Sequence, residues 1–341
     1  SPDNPKLFKV KAVLRRGKET ADEVESYFGM RKIHTDQGMV YLNNRPFYQK
    51  LILDQGYWKD SLMTARCDED FKKDILLAKE MGFNGCRKHQ KTEDPRFLYW
   101  ADRLGYIVWE EIGACVQFSN KAVRRTIDEW MEVVERDYNH PCIVTWVPLN
   151  ESWGVPFISV DRRQQEFSQT LYHLLKSFDS TRLVVGNDGW EMTETDLCAI
   201  HNYDHGEKND EKAHAKFRES LSCREELLYT YTAGRKIFVD GWRDRGQPVL
   251  LTEFGGISFA EQDDKAWGYT CIRDGAELEK EYERILDAIC ASDSIAGFCY
   301  TQLADVEQET NGLLTCDRVP KIRTEIIRKI NDRVNKKRIR I

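Results

Sequence analysis

Apolar positions along this chain follow two alternating rhythms from residue 47 onward. Short, continuous apolar runs rich in β-branched and aromatic residues occur at 47–53, 83–89, 106–111, 143–147, 183–190, 197–203, 249–253 and 295–302. Their length and composition predict strands buried on both faces. Between them, apolar residues recur at helical spacing over 68–81, 95–104, 121–138, 161–178, 223–238, 277–291 and 320–334. The first of these stretches carries its stripe on Phe71, Ile75, Leu77, Ala78 and Met81, with Asp68 as the expected cap and Gly82 as the stop. The alternation reads as eight strand–helix units, with 320–334 as the eighth helix, and so predicts an α/β fold, a (β/α)8 barrel. An open doubly wound sheet would carry a glycine-rich phosphate turn, and no G-x-G-x-x-G or Walker sequence is present.

Residues 1–33 differ. Positions 7–14 alternate with period two, Arg16-Gly17-Lys18 makes a turn, and 24–33 extends again. This predicts a few strands of a β-sandwich, too few to close a core alone. A second short hairpin is expected over 38–46, turning at Asn43-Asn44. The domain division expected is therefore 1–33 for the partial sandwich and 34–341 for the barrel.

Composition narrows the class. Charged residues make up 32% of the 341, and the net charge of −6 gives no electrostatic case for nucleic acid. No apolar run reaches the ~18 residues of a membrane span, and no signal-peptide core is visible. The ten cysteines stand alone without a C-x-x-C pair, which favours a reducing, cytoplasmic setting. The opening Ser1-Pro2-Asp3-Asn4-Pro5 reads like the interior of a longer protein.

Two strand ends carry candidate chemistry. In Ile143–Val147 followed by Pro148-Leu149-Asn150-Glu151, a carboxylate stands where a buried strand leaves the sheet, with Trp146 and Trp153 beside it. Pro248-Val-Leu-Leu-Thr-Glu253-Phe-Gly-Gly256 repeats the arrangement about a hundred residues on, room for two or three units of ~30 residues. Glutamates at the ends of separate barrel strands can face each other across its mouth, as glycoside hydrolysis requires. Each glutamate alone is equally well an ion-paired strand end.

Four stretches together resemble the C-terminal part of family 2 glycoside hydrolases, which include β-galactosidases, β-glucuronidases and β-mannosidases. They are Asn84 to His89 with Trp100 to Glu111, Asn139 to Glu151, Pro248 to Gly256, and Asn311 to Lys321. The resemblance implies a catalytic TIM barrel preceded by the last strands of an immunoglobulin-like sandwich, with a jelly roll and the rest of the sandwich upstream in the full-length protein. It implies a retaining exo-β-glycosidase, β-galactosidase-like, with Glu151 as acid/base and Glu253 as nucleophile. Asn150 would hold the sugar 2-hydroxyl, Tyr203 and Arg87 would hold the nucleophile ionised, and His89 would line the sugar site, though Arg87 and His89 also fit a buried polar layer. Asp54, Asp188, Trp190 and Trp153 are further substrate-binding candidates that also fit loop packing. The partner is a carbohydrate, with no cofactor, metal, membrane or nucleic acid, and with homo-oligomerisation open. Other β-glycosides (mannoside, arabinoside, galactofuranoside) and a non-catalytic carbohydrate-binding barrel remain alternatives.

This sequence departs from the family pattern at three places. Gln90-Lys91 follow His89 where Tyr-Pro is usual, and Thr301 stands where the eighth strand commonly carries Trp. Where β-glucuronidases place an Asn-x-Lys pair for the substrate carboxylate, this chain has Glu309-Thr310-Asn311-Gly312, which argues against a uronic acid. His201, His205 and His214 suggest a metal only weakly, since no H-E-x-x-H accompanies them. The basic tail at 336–340 complements the last helix's dipole.

Overall fold

The computed structural model describes residues 1–259 and 267–334, so the basic tail at 336–340 lies outside the described residues. Eight parallel strands form one curled sheet: β1 (Gln49–Asp54), β2 (Gly85–Lys88), β3 (Ile107–Glu111), β4 (Ile143–Val147), β5 (Leu183–Val184), β6 (Cys198–His201), β7 (Val249–Glu253) and β8 (Ile295–Tyr300). Their spatial order is β5-β4-β3-β2-β1-β8-β7-β6. The sheet curls until its edges meet beyond β5, where Gly189 N donates to Ala199 O and His201 N donates to Gly189 O.

Every residue of these strands is buried. Period-two alternation sorts their side chains into two cores. Leu51, Leu53, Ile107, Trp109, Val144, Leu250 and Ala296 share the inner cluster. Ile52, Cys86, Val108, Ile143, Leu251 and Phe298 join the larger cluster that includes the helices' apolar faces.

Those helices are α1 (Asp68–Glu80), α2 (Pro95–Leu104), α3 (Asn120–Asp137), α4 (Arg162–Phe178), α5 (Glu211–Ser220), α6 (Arg224–Tyr229), α7 (Gly275–Ala291) and α8 (Thr324–Asn331). Side-chain caps at Asp94, Ser119, Asp161, Asp210 and Asp274 start five of them.

The expected elements need correction at several places. The cap of α1 is Cys67, with no side-chain hydrogen bond, and Asp68 is already helical. No helix separates β5 from β6. Residues 185–197 run as irregular backbone whose polar groups find partners on β4 and beyond it, Val185 N on Trp146 O and Asp188 N on Leu149 O. The region 223–238 holds only α6 and a 3-10 turn at Thr232–Gly234, while the charged stretch before it supplies α5. The last helix is shortened because Pro320 bridges Leu314.

Before β1, Ile33–Asp36, Met39–Leu42 and Arg45–Pro46 form a small antiparallel sheet. Its turn at Asn43-Asn44 has φ of 53° and 63°, as the hairpin reading requires. Ile33, Val40 and Leu42 join the inner cluster, so this sheet closes the N-terminal end of the barrel. Residue 33 thus packs with the barrel rather than extending the preceding strand. Leu7–Arg16 and Glu19–Gly29 form a two-stranded ribbon, exposed almost throughout, and the described residues build no sandwich around it. Tyr27 ties the ribbon down, its hydroxyl donating to Asp102 Oδ2 at 2.7 Å.

Candidate active site

The strand ends at the C-terminal mouth bring together a dense set of polar side chains. After β4, Pro148 interrupts the ladder, which resumes at an isolated bridge between Asn150 and Asp188, and Glu151 and Ser152 take left-handed φ of 51° and 59°. Such a turn costs about 1 kcal/mol or more per non-glycine residue. It is held by Glu151 N on Asp188 O (2.8 Å), Ser152 N on Asn187 Oδ1 (3.1 Å) and Ser152 Oγ on Glu191 Oε2 (2.6 Å). The turn presents Glu151 to His201 at the end of β6, Oε1 to Nδ1, at 2.8 Å.

Glu253 ends β7. Its Oε1 accepts from Arg87 Nη2 of β2, and its Oε2 accepts from the Tyr203 hydroxyl at 2.8 Å. Thr301, just past β8, lies 2.8 Å from the same hydroxyl through its Oγ1. Arg87 is wholly buried and divides itself among Glu253, Glu111 Oε1 (2.6 Å), Asp188 Oδ2 (2.8 Å) and Asn150 Oδ1 (3.2 Å). His201 Nδ1 also lies 3.5 Å from Glu253 Oε2, and its Nε2 lies 3.3 Å from Asp188 Oδ1. His201, Glu151 and Glu253 each bring one ligand-type atom within 4.8 Å of the others.

The charges shift one another. Burial disfavours the His201 imidazolium, but Glu253, Asp188 and Glu151 outweigh it and raise its pKa to about 10. Burial also works to raise Glu151, yet the hydrogen bond and charge of His201 leave its carboxyl below the usual range. The buried Glu253 is pushed up against the pull of His201, Arg87 and Tyr203. Glu111 is raised to about 7 by burial despite Arg87. Asp188 is held well below its ordinary value by Arg87 and His201, whose pull exceeds its burial penalty. His89 is pushed down by burial, Arg87 and His201.

Of the residues expected from sequence, Glu151, Glu253, Asn150, Tyr203, Arg87, His89 and Asp188 come together. His89 Nδ1 stands 3.8 Å from Glu253 Oε1. The Trp190 ring packs 5.7 Å from His201. Asn150 Nδ2 is buried without a hydrogen-bond partner among the described residues. Asp54 does not join them. It pairs with Lys88 at 2.7 Å, because alternation turns Lys88 away from Arg87 and over the Phe97 ring of α2. Trp153 is half exposed on the turn after Glu151.

Sequence reasoning weighed His201 only as a metal candidate and missed Glu111 and Tyr269 as site residues. His201 stands two residues before Tyr203, so the strand period alone places both on one face. Tyr269 stacks on Tyr203 with ring centroids 3.6 Å apart, a loop contact with no sequence signal. Its phenol is pushed up by burial and by Glu253, Glu151 and Glu309, so Glu309 belongs to the same mouth. Gln302 Nε2 donates to Glu309 Oε2 (2.8 Å) and Asn311 Oδ1 (2.7 Å), and Gln55 donates to Glu309 at 3.0 Å.

Two sets of described residues have metal-type geometry: Glu151/His201/Glu253 and Asp102/His140/Cys142. In the second, Asp102 is already engaged by Tyr27, His140 and the Cys142 amide. The histidine grouping weighed and set aside from the sequence does not assemble, since His205 Nε2 turns to Gly255 O at 2.8 Å while His201 faces the glutamates.

Residues 33–336 match the family model "Glycosyl hydrolases family 2, TIM barrel domain". The chain belongs to glycoside hydrolase family 2. A β-glucuronidase of Streptococcus agalactiae is 23% identical over 288 residues, covering 74% of this chain and 43% of the relative. A β-galactosidase of Klebsiella pneumoniae is 27% identical over 214 residues, covering 59% and 19%. The chain thus spans less than half the length of these family 2 relatives. Among solved structures, a family 2 β-galacturonidase of Eisenbergiella tayi superposes with a TM-score of 0.73 at 20% identity, covering 97% of this chain and 59% of that one. The β-D-glucuronidase of Dictyoglomus thermophilum superposes at 0.76 and 19% identity, covering 98% and 58%. These structures share the fold.

Proposed function

We propose that this family 2 barrel hydrolyses a terminal β-linked sugar by double displacement, with Glu253 as nucleophile and Glu151 as acid/base. The observation that carries the reading is the approach of the two glutamates, whose oxygens lie within 4.8 Å. Retaining glycosidases hold their carboxyls roughly 5 Å apart, and inverting ones about 6.5–9.5 Å. Glu253 is the more enclosed and is gripped by Arg87, Tyr203 and His201, which suits a carboxylate that attacks the anomeric carbon. Glu151 is a quarter exposed, which suits a group that must meet a departing leaving group and an incoming water. The unpartnered Asn150 Nδ2 is a donor ready for the sugar 2-hydroxyl.

The sugar we favour is neutral and galactoside-like. Glu309, held by Gln302 and Gln55, puts an anion at this mouth, and Lys321 of the same segment spends its charge on Asp305 at 2.6 Å. A uronate would meet that anion. The names of the uronidase relatives make β-glucuronide the competing reading. Upstream domains of a longer protein would complete the substrate site, and we place such a protein in the cytoplasm.

Among nitrophenyl β-galactoside, β-mannoside, α-arabinoside, β-galactofuranoside and β-glucuronide, this chain should turn over the galactoside fastest, and a faster β-glucuronide would favour the competing reading. Glu151→Ala should accumulate a glycosyl-enzyme with an activated aryl glycoside and be rescued by azide as the β-glycosyl azide. Glu253→Ala should show no burst and give the α-azide. Exchange of these behaviours would reverse the roles, and an inert wild type would favour a carbohydrate-binding barrel.

A further inference from the structure

An acid catalyst needs a proton, yet Glu151 sits against a histidine that favours its ionised form. That histidine is the last residue of β6, wholly buried, with Nδ1 2.8 Å from Glu151 Oε1 and 3.5 Å from Glu253 Oε2. The fold reserves its place. Gly189 has a φ of 106°, and a Cβ there would lie 2.8 Å from the imidazole Nδ1, so only glycine admits the ring at this depth. Asp188 behind the ring is itself fixed by Thr252 Oγ1 at 2.5 Å and by Arg87. Trp190 packs edge-on against the imidazole. The groups facing His201 are Glu151 after β4, Asp188 after β5, Glu253 on β7 and, from β2, Arg87 and His89. Carboxylates dominate that set, so the imidazole is kept protonated.

We infer that His201 is a positioning residue that stores the proton Glu151 delivers to the leaving oxygen, and recovers it in the second half of the reaction. This rests on the double-displacement reading above. In the first step the Nδ1 proton passes to the Glu151 carboxylate, leaving a neutral imidazole. The carboxyl then protonates the glycosidic oxygen as the C1–O bond breaks, and Glu253 forms the glycosyl ester. In the second step Glu151 takes a proton from water, the hydroxide attacks C1 and the ester bond breaks to release Glu253. The proton taken from water returns to Nδ1. One water is consumed, the alcohol and the sugar leave, and His201 ends as it began.

The single substitution H201N keeps a donor beside Glu151 but stores no proton. For H201N, kcat/KM should fall about tenfold or more on alkyl β-glycosides, with only a few-fold loss on a dinitrophenyl β-glycoside that needs no protonation. Its alkaline limb should move down by about one pH unit or more, because Glu151 alone then holds the proton. Equal losses on both substrates with unmoved limbs would overturn the proposal, since a purely structural histidine gives that result.

A second measurement does not depend on turnover. Nitrogen-15 histidine spectra of the wild type, with His201 identified by its absence in H201N, should show an imidazolium that persists above pH 8. A neutral His201 at pH 7 would overturn the proposal. An imidazolium in a chain that hydrolyses no β-glycoside would leave the proton placement standing and defeat the hydrolase reading instead.

Discussion

Arg87 and Lys88 are neighbours on one strand, both wholly buried, and each gathers carboxylates on its own side of the sheet. The outcomes differ. On the helix side, Lys88 pairs with Asp54 at 2.7 Å and Glu93 at 2.6 Å, and Lys91 adds a second cation to Glu93 at 3.0 Å. Among the described residues in ion-pair contact there, two cations meet two carboxylates. On the barrel side, Arg87 and His201 face Glu111, Asp188, Glu151 and Glu253. Among the described residues two cations here meet four carboxylates, and Asn150 Nδ2 has no partner. A balanced buried cluster is structural, whereas one left in surplus and open at one end stores free energy that a substrate can release.

The largest effect expected is at Glu253. Glu253→Gln should reduce turnover by on the order of 10⁴-fold or more, because no nucleophile remains. Its stability should not fall. Burial raises the folded pKa of this carboxyl, so keeping it ionised at neutral pH opposes folding, and a neutral amide relieves that. Thermal unfolding at pH 7 gives the answer, and a lower Tm would break the contrast between the clusters.

Asp54→Asn should do the opposite. Lys88 holds the Asp54 carboxyl below its ordinary value against the burial penalty, so the pair stabilises the fold above the unfolded pKa of Asp, and this is lost as pH falls through the lower folded value. Uncovering Lys88 should cost about 3 kcal/mol at pH 7, read by urea unfolding. The kcat of the folded variant should stay within about threefold of wild type. A loss of kcat comparable to that of Glu253→Gln would return Asp54 to the sugar site.

That second prediction reverses an expectation read from sequence, and the reason is physical. A strand-end Asp beside a strand-end Arg looks like site chemistry, but Asp54 follows inward-facing Leu53 and therefore points out, towards Lys88. The same alternation, applied to Tyr203, would have brought in His201. Glu151 and Glu253 were legible because each follows a buried apolar run and because the order of the two runs fits the family resemblance. The eight strands were legible for the same reason, being apolar on both faces. The irregular segment after β5 was not. Backbone polar groups of 185–197 find partners on the neighbouring β4 and β6 and at Lys236 and Ile237, and such non-local pairing leaves no local pattern. Tyr269 reaches the mouth on a loop, where spacing predicts nothing, and Glu309, also on a loop, was legible only through the family resemblance.

Glu111 offers a smaller effect within the surplus cluster. Burial raises its pKa from 4.5 to about 7, so the folded state holds this proton more tightly than the unfolded chain does. Its contribution to stability is greatest below pH 4.5 and declines as pH rises through about 7. The stability difference between wild type and Glu111→Gln should therefore shift in favour of the variant across that window, by about 3 kcal/mol. A difference independent of pH would mean that Arg87 keeps Glu111 ionised throughout.

Asn150 should give the smallest change and the sharpest reading of the open end. Its Oδ1 accepts from Arg87 at 3.2 Å, which fixes the amide plane, while Nδ2 is buried with no partner among the described residues. A neutral hydrogen bond from that nitrogen to the sugar 2-hydroxyl is worth about 1 kcal/mol, or roughly fivefold in rate. Asn150→Ala should lose this factor on the full sugar, and wild type should lose the same factor on the 2-deoxy sugar. The variant acting on the 2-deoxy sugar should lose little more than either alone, because both changes remove one contact. Independent, multiplying losses would place the 2-hydroxyl elsewhere and leave the orphaned Nδ2 without its ligand.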